Sequence, residues 1–181
     1  TVPQYVYILA DSRATALIAA APLAQRIWPV IAQLPHLKTI ILVGAIEDDK
    51  ANFPGRNVHL FEDLIATASA KPFTADTLSD EVAFWMYTSG STGDPKGVKH
   101  VHSSLMATAK LMGQGVLGIR ESDVVLSAAK LFFAYGLGNA MSFPMSVGAT
   151  AILWPERPTP DAMFDLMQRH DPTIFYAVPS L

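Results

Sequence analysis

Apolar residues recur along this chain in two rhythms. Short, nearly continuous and often β-branched runs stand at Ala14–Ala20, Thr39–Val43, Val124–Ala128, Ala149–Trp154 and Thr173–Val178. Runs of this kind predict strands covered on both faces, since a half-solvated strand would alternate apolar with polar residues. Between some of them the spacing changes to three and four. From Pro22 to Leu34 it sets Leu23, Ile27, Val30, Ile31 and Leu34 on one face of an expected helix. A second helix is expected from Pro160 to about His170. Thr159 suits its N-cap, Pro160 its first position and Asp161 its first turn, and Asp171-Pro172 ends it. Strand alternating with helix predicts an α/β fold, a largely parallel sheet flanked by helices.

The stretch from Ile46 to Asp80 has no single rhythm. Glu47–Lys50 and Phe53-Pro54-Gly55 read as surface loop, Leu60–Ser69 as a short helix, and Lys71 through Asp80 as a connector. A soft boundary near residue 77 divides the chain into an α/β portion with connector, 1–76, and a second portion, 77–181. One continuous domain with a long excursion fits the same pattern.

Composition sharpens this picture. Charged residues reach only 16% against about 25% in an ordinary domain, hydrophobic residues reach 50%, and mean hydropathy is +0.27. Such a chain spans a membrane or buries its flanks against something else. No run approaches the ~18 apolar residues of a spanning helix, and Arg13, Pro22 and Gln25 interrupt the most apolar region. The chain opens on Thr1 with no basic stretch before an apolar one, so no signal peptide is expected. It reads as a piece of a larger soluble protein whose remainder packs against it. A net charge of −3 and pI near 5.9, without a basic stripe, argue against a nucleic-acid binder. The lack of cysteine removes disulfides and thiolate metal sites and fits a cytoplasmic location.

The most informative stretch begins at Val82–Tyr87, a strand pattern that leads into Thr88-Ser89-Gly90-Ser91-Thr92-Gly93-Asp94-Pro95-Lys96-Gly97. Gly90 and Gly93 permit positive φ and close approach of a ligand to the backbone. Four hydroxyls and successive N–H groups make a concavity for an anion, and Lys96 adds a point charge suited to phosphate. The spacing is not that of a Walker A loop, because Pro95 precedes the lysine and Gly97 follows it. A second strand is expected over Gly97–His102, then a helix capped near Ser103 with Leu105, Met106 and Met112 in the core. His100 and His102 share a strand face, but no third ligand of the right type sits nearby and no metal site is assigned. Ser12 and Ser180 lack a G-x-S-x-G context, so a hydrolase has no support.

Tyr87 through Gly97 resembles the phosphate-binding signature of the adenylate-forming enzymes: acyl- and aryl-CoA ligases, peptide-synthetase adenylation domains and luciferases. The resemblance implies the large N-terminal domain of such an enzyme. It implies that Thr88, Ser89, Gly90, Ser91, Thr92, Gly93 and Lys96 embrace the β- and γ-phosphates of ATP while a carboxylate attacks the α-phosphate. ATP, Mg2+ and coenzyme A are the implied cofactor and co-substrates.

A second motif, Lys130-Leu131-Phe132-Phe133-Ala134-Tyr135-Gly136-Leu137-Gly138-Asn139, carries aromatics into a glycine-flanked turn. By composition it is an aromatic core cluster as readily as a pocket. The resemblance makes it the acid pocket. Amino-acid-activating members carry an aspartate at the position of Phe133, and many CoA ligases a histidine. The wording is most similar to the benzoate- and hydroxybenzoate-CoA ligases, which implies Phe133, Ala134, Tyr135, Gly136 and Phe143 as the wall around an aromatic ring. A ring held between Tyr135 and Phe143 would gain roughly 1.5–3 kcal/mol from burial. The implied reaction activates a benzoate-like acid to an acyl-adenylate and then to a CoA thioester. The family's magnesium-binding acid, adenine contacts and C-terminal lid with its catalytic lysine have no counterpart here. No catalytic residue is therefore assigned, the isolated chain is expected to be inactive, and a homodimer is possible for the parent. Another acyl-CoA ligase or adenylating enzyme, or a non-catalytic nucleotide-binding fragment, is the alternative.

Overall fold

The computed structural model of the chain describes residues 1–88 and 93–179. These divide into two compact units. One comprises Thr1–Asp76 with Tyr87–Gly97, and the other Thr77–Met86 with Val98 onward. The units differ in one respect from the portions read in the sequence, because Tyr87–Gly97 goes with the first.

The first unit opens with helix α1 (Val2–Asp11), where the Thr1 ammonium and hydroxyl both donate to Gln4 Oε1, at 2.9 and 3.0 Å. Arg13, at φ 50°, turns the chain into β1 (Ala16–Ala20). Helix α2 (Ala21–Ile27) follows, then β2 (Thr39–Val43), β3 (Asn57–Leu60) and α3 (Phe61–Thr67). The strands form a parallel sheet in the order β1-β2-β3, with Ala16 opposite Thr39 and Thr39 opposite Asn57. Its core gathers Ala24, Ile27, Ile31, Leu34, Ile40 and Leu42.

Three expectations change here. The helix expected from Pro22 to Leu34 ends at Ile27 and gives way to a 3-10 turn over Trp28–Gln33. Pro29 lacks the N–H that the α-helical ladder requires. Arg56 Nη2 takes up the carbonyls of Ile31 and Leu34 at 3.0 and 3.2 Å, so the irregular end is satisfied. Leu23 points outward, and Ala21 and Ala24 take its place on the buried face. β1 is not covered on both sides, since Ile18 is 61% exposed. β3 lies in the stretch after Gly55 to which the sequence pattern assigns no element, and takes Leu60 from the expected helix; it is four residues long and draws its backbone partners from β2.

β4 (Val82–Thr88) and β5 (Lys96–Val101) make a two-stranded sheet. Helix α4 (His102–Thr108) starts directly after it, and Ser103 is not its cap. Its first N–H groups are met by backbone instead: His102 donates to the Glu81 carbonyl at 3.1 Å and Ser103 to that of Ser79 at 3.0 Å. Met106 and Met112, expected in the core, lie exposed.

The second unit continues with β6 (Val124–Ser127), α5 (Ala134–Leu137), α6 (Phe143–Val147), β7 (Thr150–Ile152), α7 (Pro160–His170) and β8 (Ile174–Tyr176). Its parallel sheet runs β7-β6-β8, with Val125 opposite both Ala151 and Ile174. Val125 and Leu126 are fully buried at the centre. Helix α7 has the expected cap, Thr159 Oγ1 accepting from Ala162 N at 3.3 Å, and ends at Asp171 in the left-handed region. Asp123 knots the start of β6 to the start of β8. Its carboxylate accepts from Arg120 N at 2.7 Å and from Thr173 Oγ1 at 2.8 Å.

Two π-helical segments, Ala109–Val116 and Gly138–Ser142, replace regular helix and the expected turn. They converge on the ring of Phe143. A Cβ at Gly113 would stand 3.0 Å from its Cγ, and one at Gly138 3.0 Å from its Cζ. Among the described residues no helix is long and apolar enough to cross a membrane.

Candidate active site

The phosphate-loop candidates sit where β4 ends and β5 begins. Thr88 closes β4, Lys96 opens β5 with its side chain exposed, and Gly93 between them has φ 109° with open space around it. Ser89, Gly90, Ser91 and Thr92 lie outside the described residues. Two further residues brace this rim, and the sequence reading passed over their role. Tyr87 donates its hydroxyl to Asp11 Oδ2 at 2.6 Å, tying the end of β4 to the end of α1. The Tyr87 ring lies over Gly97, where a Cβ would stand 3.3 Å from the ring carbon Cζ. This explains the glycine after Lys96. Burial first, and then the hydrogen bond and charge of Asp11, push the Tyr87 phenol up to about 12, so it stays a donor at neutral pH.

The acid-pocket candidates divide. Phe133 has an extended backbone and precedes α5; its N–H donates to the Lys130 carbonyl at 3.1 Å, and its own carbonyl receives Leu137 N at 2.8 Å. Gly136 is obligatory, because a Cβ there would fall 2.1 Å from the Lys130 carbonyl oxygen. Ala134 opens on a cavity of about 120 Å³ shared with Phe84, Met86, His100, Leu105 and Ser142. His100 stacks on Phe84 there, centroids 5.0 Å apart, so this histidine packs as an aromatic. The Ser142 Oγ atom is buried with no partner among the described residues. Phe133 is exposed and packs against the ring of Phe132 at 4.4 Å. Tyr135 meets Tyr176 edge-on at 6.3 Å and donates to the Ala177 carbonyl at 3.4 Å. Phe143 is only 5% exposed, clustered with Ala109, Ile119, Val125 and Tyr176, and lines neither this cavity nor the next.

A larger cavity of about 660 Å³ opens beyond the carboxyl ends of β6 and β7, where parallel sheets receive ligands. Ser127, Lys130, Phe132, Ile152, Trp154 and Pro155 line it. The Lys130 ammonium donates to the carbonyls of Trp154 and Glu156. Burial holds its pKa below the usual lysine value, and the nearby Glu156 charge opposes that shift. The signal for Lys130 in the sequence was slight: one cation inside Ala-Ala-Lys-Leu-Phe-Phe.

The family model for AMP-binding enzymes matches residues 1–181, the whole chain. This chain belongs to the AMP-binding enzyme family. It is 49% identical over its full length to a 4-hydroxybenzoate–CoA/benzoate–CoA ligase of Rhodopseudomonas palustris and covers 32% of that protein. A solved benzoate CoA ligase of Burkholderia xenovorans superposes with a TM-score of 0.81 at 44% identity, over 100% of this chain and 33% of that one. A solved anthranilate CoA ligase in complex with anthranoyl-AMP gives 0.89 at 35% identity, over 98% of this chain and 33% of that one. This AMP-binding chain therefore spans about a third of the length of the relatives it matches. Its fold is that of the N-terminal domain of the adenylate-forming ligases, an α/β arrangement of parallel strands flanked by helices.

Proposed function

We propose that the parent enzyme activates benzoate or a close relative with ATP, forming an acyl-adenylate and then a CoA thioester, and that this chain supplies the phosphate loop and the acid pocket. Thr88, Ser89, Gly90, Ser91, Thr92, Gly93 and Lys96 hold the β- and γ-phosphates. Phe133, Ala134, Tyr135 and Gly136 present the acid, with Phe143 behind them as the buried support for the turn. Enzymes of this family use ATP, Mg2+ and CoA. Mg2+ takes octahedral oxygen ligands and keeps several waters. Among the described residues no cluster of three or more histidine, cysteine, aspartate or glutamate side chains could hold that ion, and none of them is assigned to it. The metal, when bound, neutralises charge on the phosphates. The rest of the parent packs against this chain, and the reaction is cytoplasmic.

One observation carries the choice of acid. The cavity beside Ala134 is lined by Phe84, Met86, Leu105 and Leu137 together with the polar His100, Ser104, Thr108 and Ser142, with no carboxylate among its described lining residues. A buried ammonium without a counter-charge is strongly disfavoured, whereas an uncharged ring is welcome. The test compares kcat/KM of the full-length parent for benzoate, phenylalanine and a C12 fatty acid, then repeats it with Ala134→Leu. Benzoate should lead. The larger side chain should lower its kcat/KM roughly tenfold or more, since overfilling a packed site costs about 1–3 kcal/mol. A fatty acid in the lead, or a variant that treats benzoate as the wild type does, sinks the reading.

A further inference from the structure

Lys130 is the only charged residue among the described residues lining the larger cavity. A lysine placed against apolar surface loses hydration, and this one is held below its ordinary pKa by that burial. The ammonium is offset by two backbone carbonyls, those of Trp154 and Glu156, which lie 24 and 26 residues along the chain on the segment leaving β7. The main chain of the same residue faces the other way. Its carbonyl receives Phe133 N at 3.1 Å and occupies the space that any side chain at Gly136 would need. One residue thus joins two segments: the exit of β7 through its side chain, and the turn from Phe133 to Gly136 through its backbone.

We propose that Lys130 is a positioning residue for the acid. By holding the Trp154 and Glu156 carbonyls it fixes its own backbone, and its backbone sets where Phe133, Ala134 and Gly136 stand against the ring. The role assigned to it runs through its backbone and not through contact with ATP or the acid. The idea rests on the reading of Phe133–Gly136 as the acid pocket. Displacement of a pocket wall by about 1 Å can cost up to a hundredfold in efficiency, so the effect should be visible in simple kinetics.

The experiment uses the full-length enzyme and measures KM for benzoate and for ATP separately in wild type, Lys130→Met and Lys130→Arg. Lys130→Met keeps the length of the side chain and removes its donors. It should raise the benzoate KM about tenfold and leave the ATP KM unchanged. Lys130→Arg, which can still reach both carbonyls, should recover most of the loss. Equal rises in both constants, no rise in either, or an arginine variant as poor as the methionine one would overturn the proposal. If Lys130→Met is insoluble, Lys130→Gln decides by the same split. It retains an N–H donor, so a smaller rise confined to benzoate supports the proposal, and constants that move together or not at all defeat it. The wild-type acid preference is read separately. Should another acid be preferred, the pocket's assignment to benzoate fails, while the same split measured with that acid still tests Lys130.

Discussion

Gly136→Ala is the sharpest probe of the turn that carries the proposed acid-pocket residues. The new methyl carbon would stand 2.1 Å from the Lys130 carbonyl oxygen, 2.6 Å from its carbonyl carbon and 2.8 Å from the Ala129 carbonyl oxygen. All three are backbone atoms, so no rotamer change relieves the contact. Ordinary contact begins near 3.4 Å. Two segments of main chain would have to part by about 1 Å, and the cost falls at or above the upper end of the ~1–3 kcal/mol typical of overpacking. The relatives are about three times the length of this chain, so the unfolding entropy is proportionately larger and each kcal/mol lowers Tm by roughly 1 °C, which predicts a fall of roughly 3 °C or more. The control is Gly115→Ala, also a single added methyl but at an exposed site, where the nearest atom is the Lys110 carbonyl oxygen at 3.3 Å. That variant should unfold within about 1 °C of the wild type, because alanine's better helix propensity offsets a slight contact. Thermal unfolding of the full-length protein, followed by circular dichroism, compares the two. The reasoning fails if Gly136→Ala melts with the wild type, or if both variants fall alike.

Other outcomes follow from the rim and from β6. Lys96→Ala should slow acid-dependent ATP–pyrophosphate exchange roughly ten- to a hundredfold, about 1.4–2.7 kcal/mol, with unfolding unchanged because the side chain is exposed; exchange at the wild-type rate would remove the lysine from the phosphate site. The Asp123 carboxyl is held below its ordinary value, first by the Arg120 N–H and then by the Thr173 hydroxyl. A depressed carboxyl contributes stability above its unfolded pKa of about 4 and loses it as pH falls through the folded value. Asp123→Asn should therefore flatten the loss of stability below about pH 4, and denaturation midpoints that decline in parallel for both proteins would refute this.

What could be read in the sequence was what local pattern determines. β2 appears over the residues expected, Thr39–Val43, because a continuous β-branched run leaves little alternative. Helix α7 has its expected cap and stop because Thr159, Pro160 and Asp171-Pro172 act within one turn of themselves. Partners distant in sequence account for the rest. β3 exists through β2, and α4 begins where the carbonyls of Ser79 and Glu81 reach back to it. In the site, Thr88, Gly93 and Lys96 stand together at one rim, as a contiguous motif must. The roles of Asp11, Tyr87 and Lys130 depend on separations of 76, 24 and 26 residues, which no local rhythm encodes.

The convergence of Gly113, Gly138 and Phe143 has a consequence on the scale of lineages. A methyl group at either glycine would press on the ring at about 3.0 Å, so the three positions constrain one another: two without side chains, one with a large one. A relative that gains a side chain at either glycine position must shift the ring or lose volume at the third, and the change passes through an intermediate that is overfilled or hollow. The cost of that intermediate isolates the trio from gradual drift. Phe132 and Phe133 touch through their rings, 4.4 Å apart, but both are exposed, so neither locks the other as the buried trio is locked. Exposed positions of that kind can change one at a time, while the ring of Phe143 stays as it is.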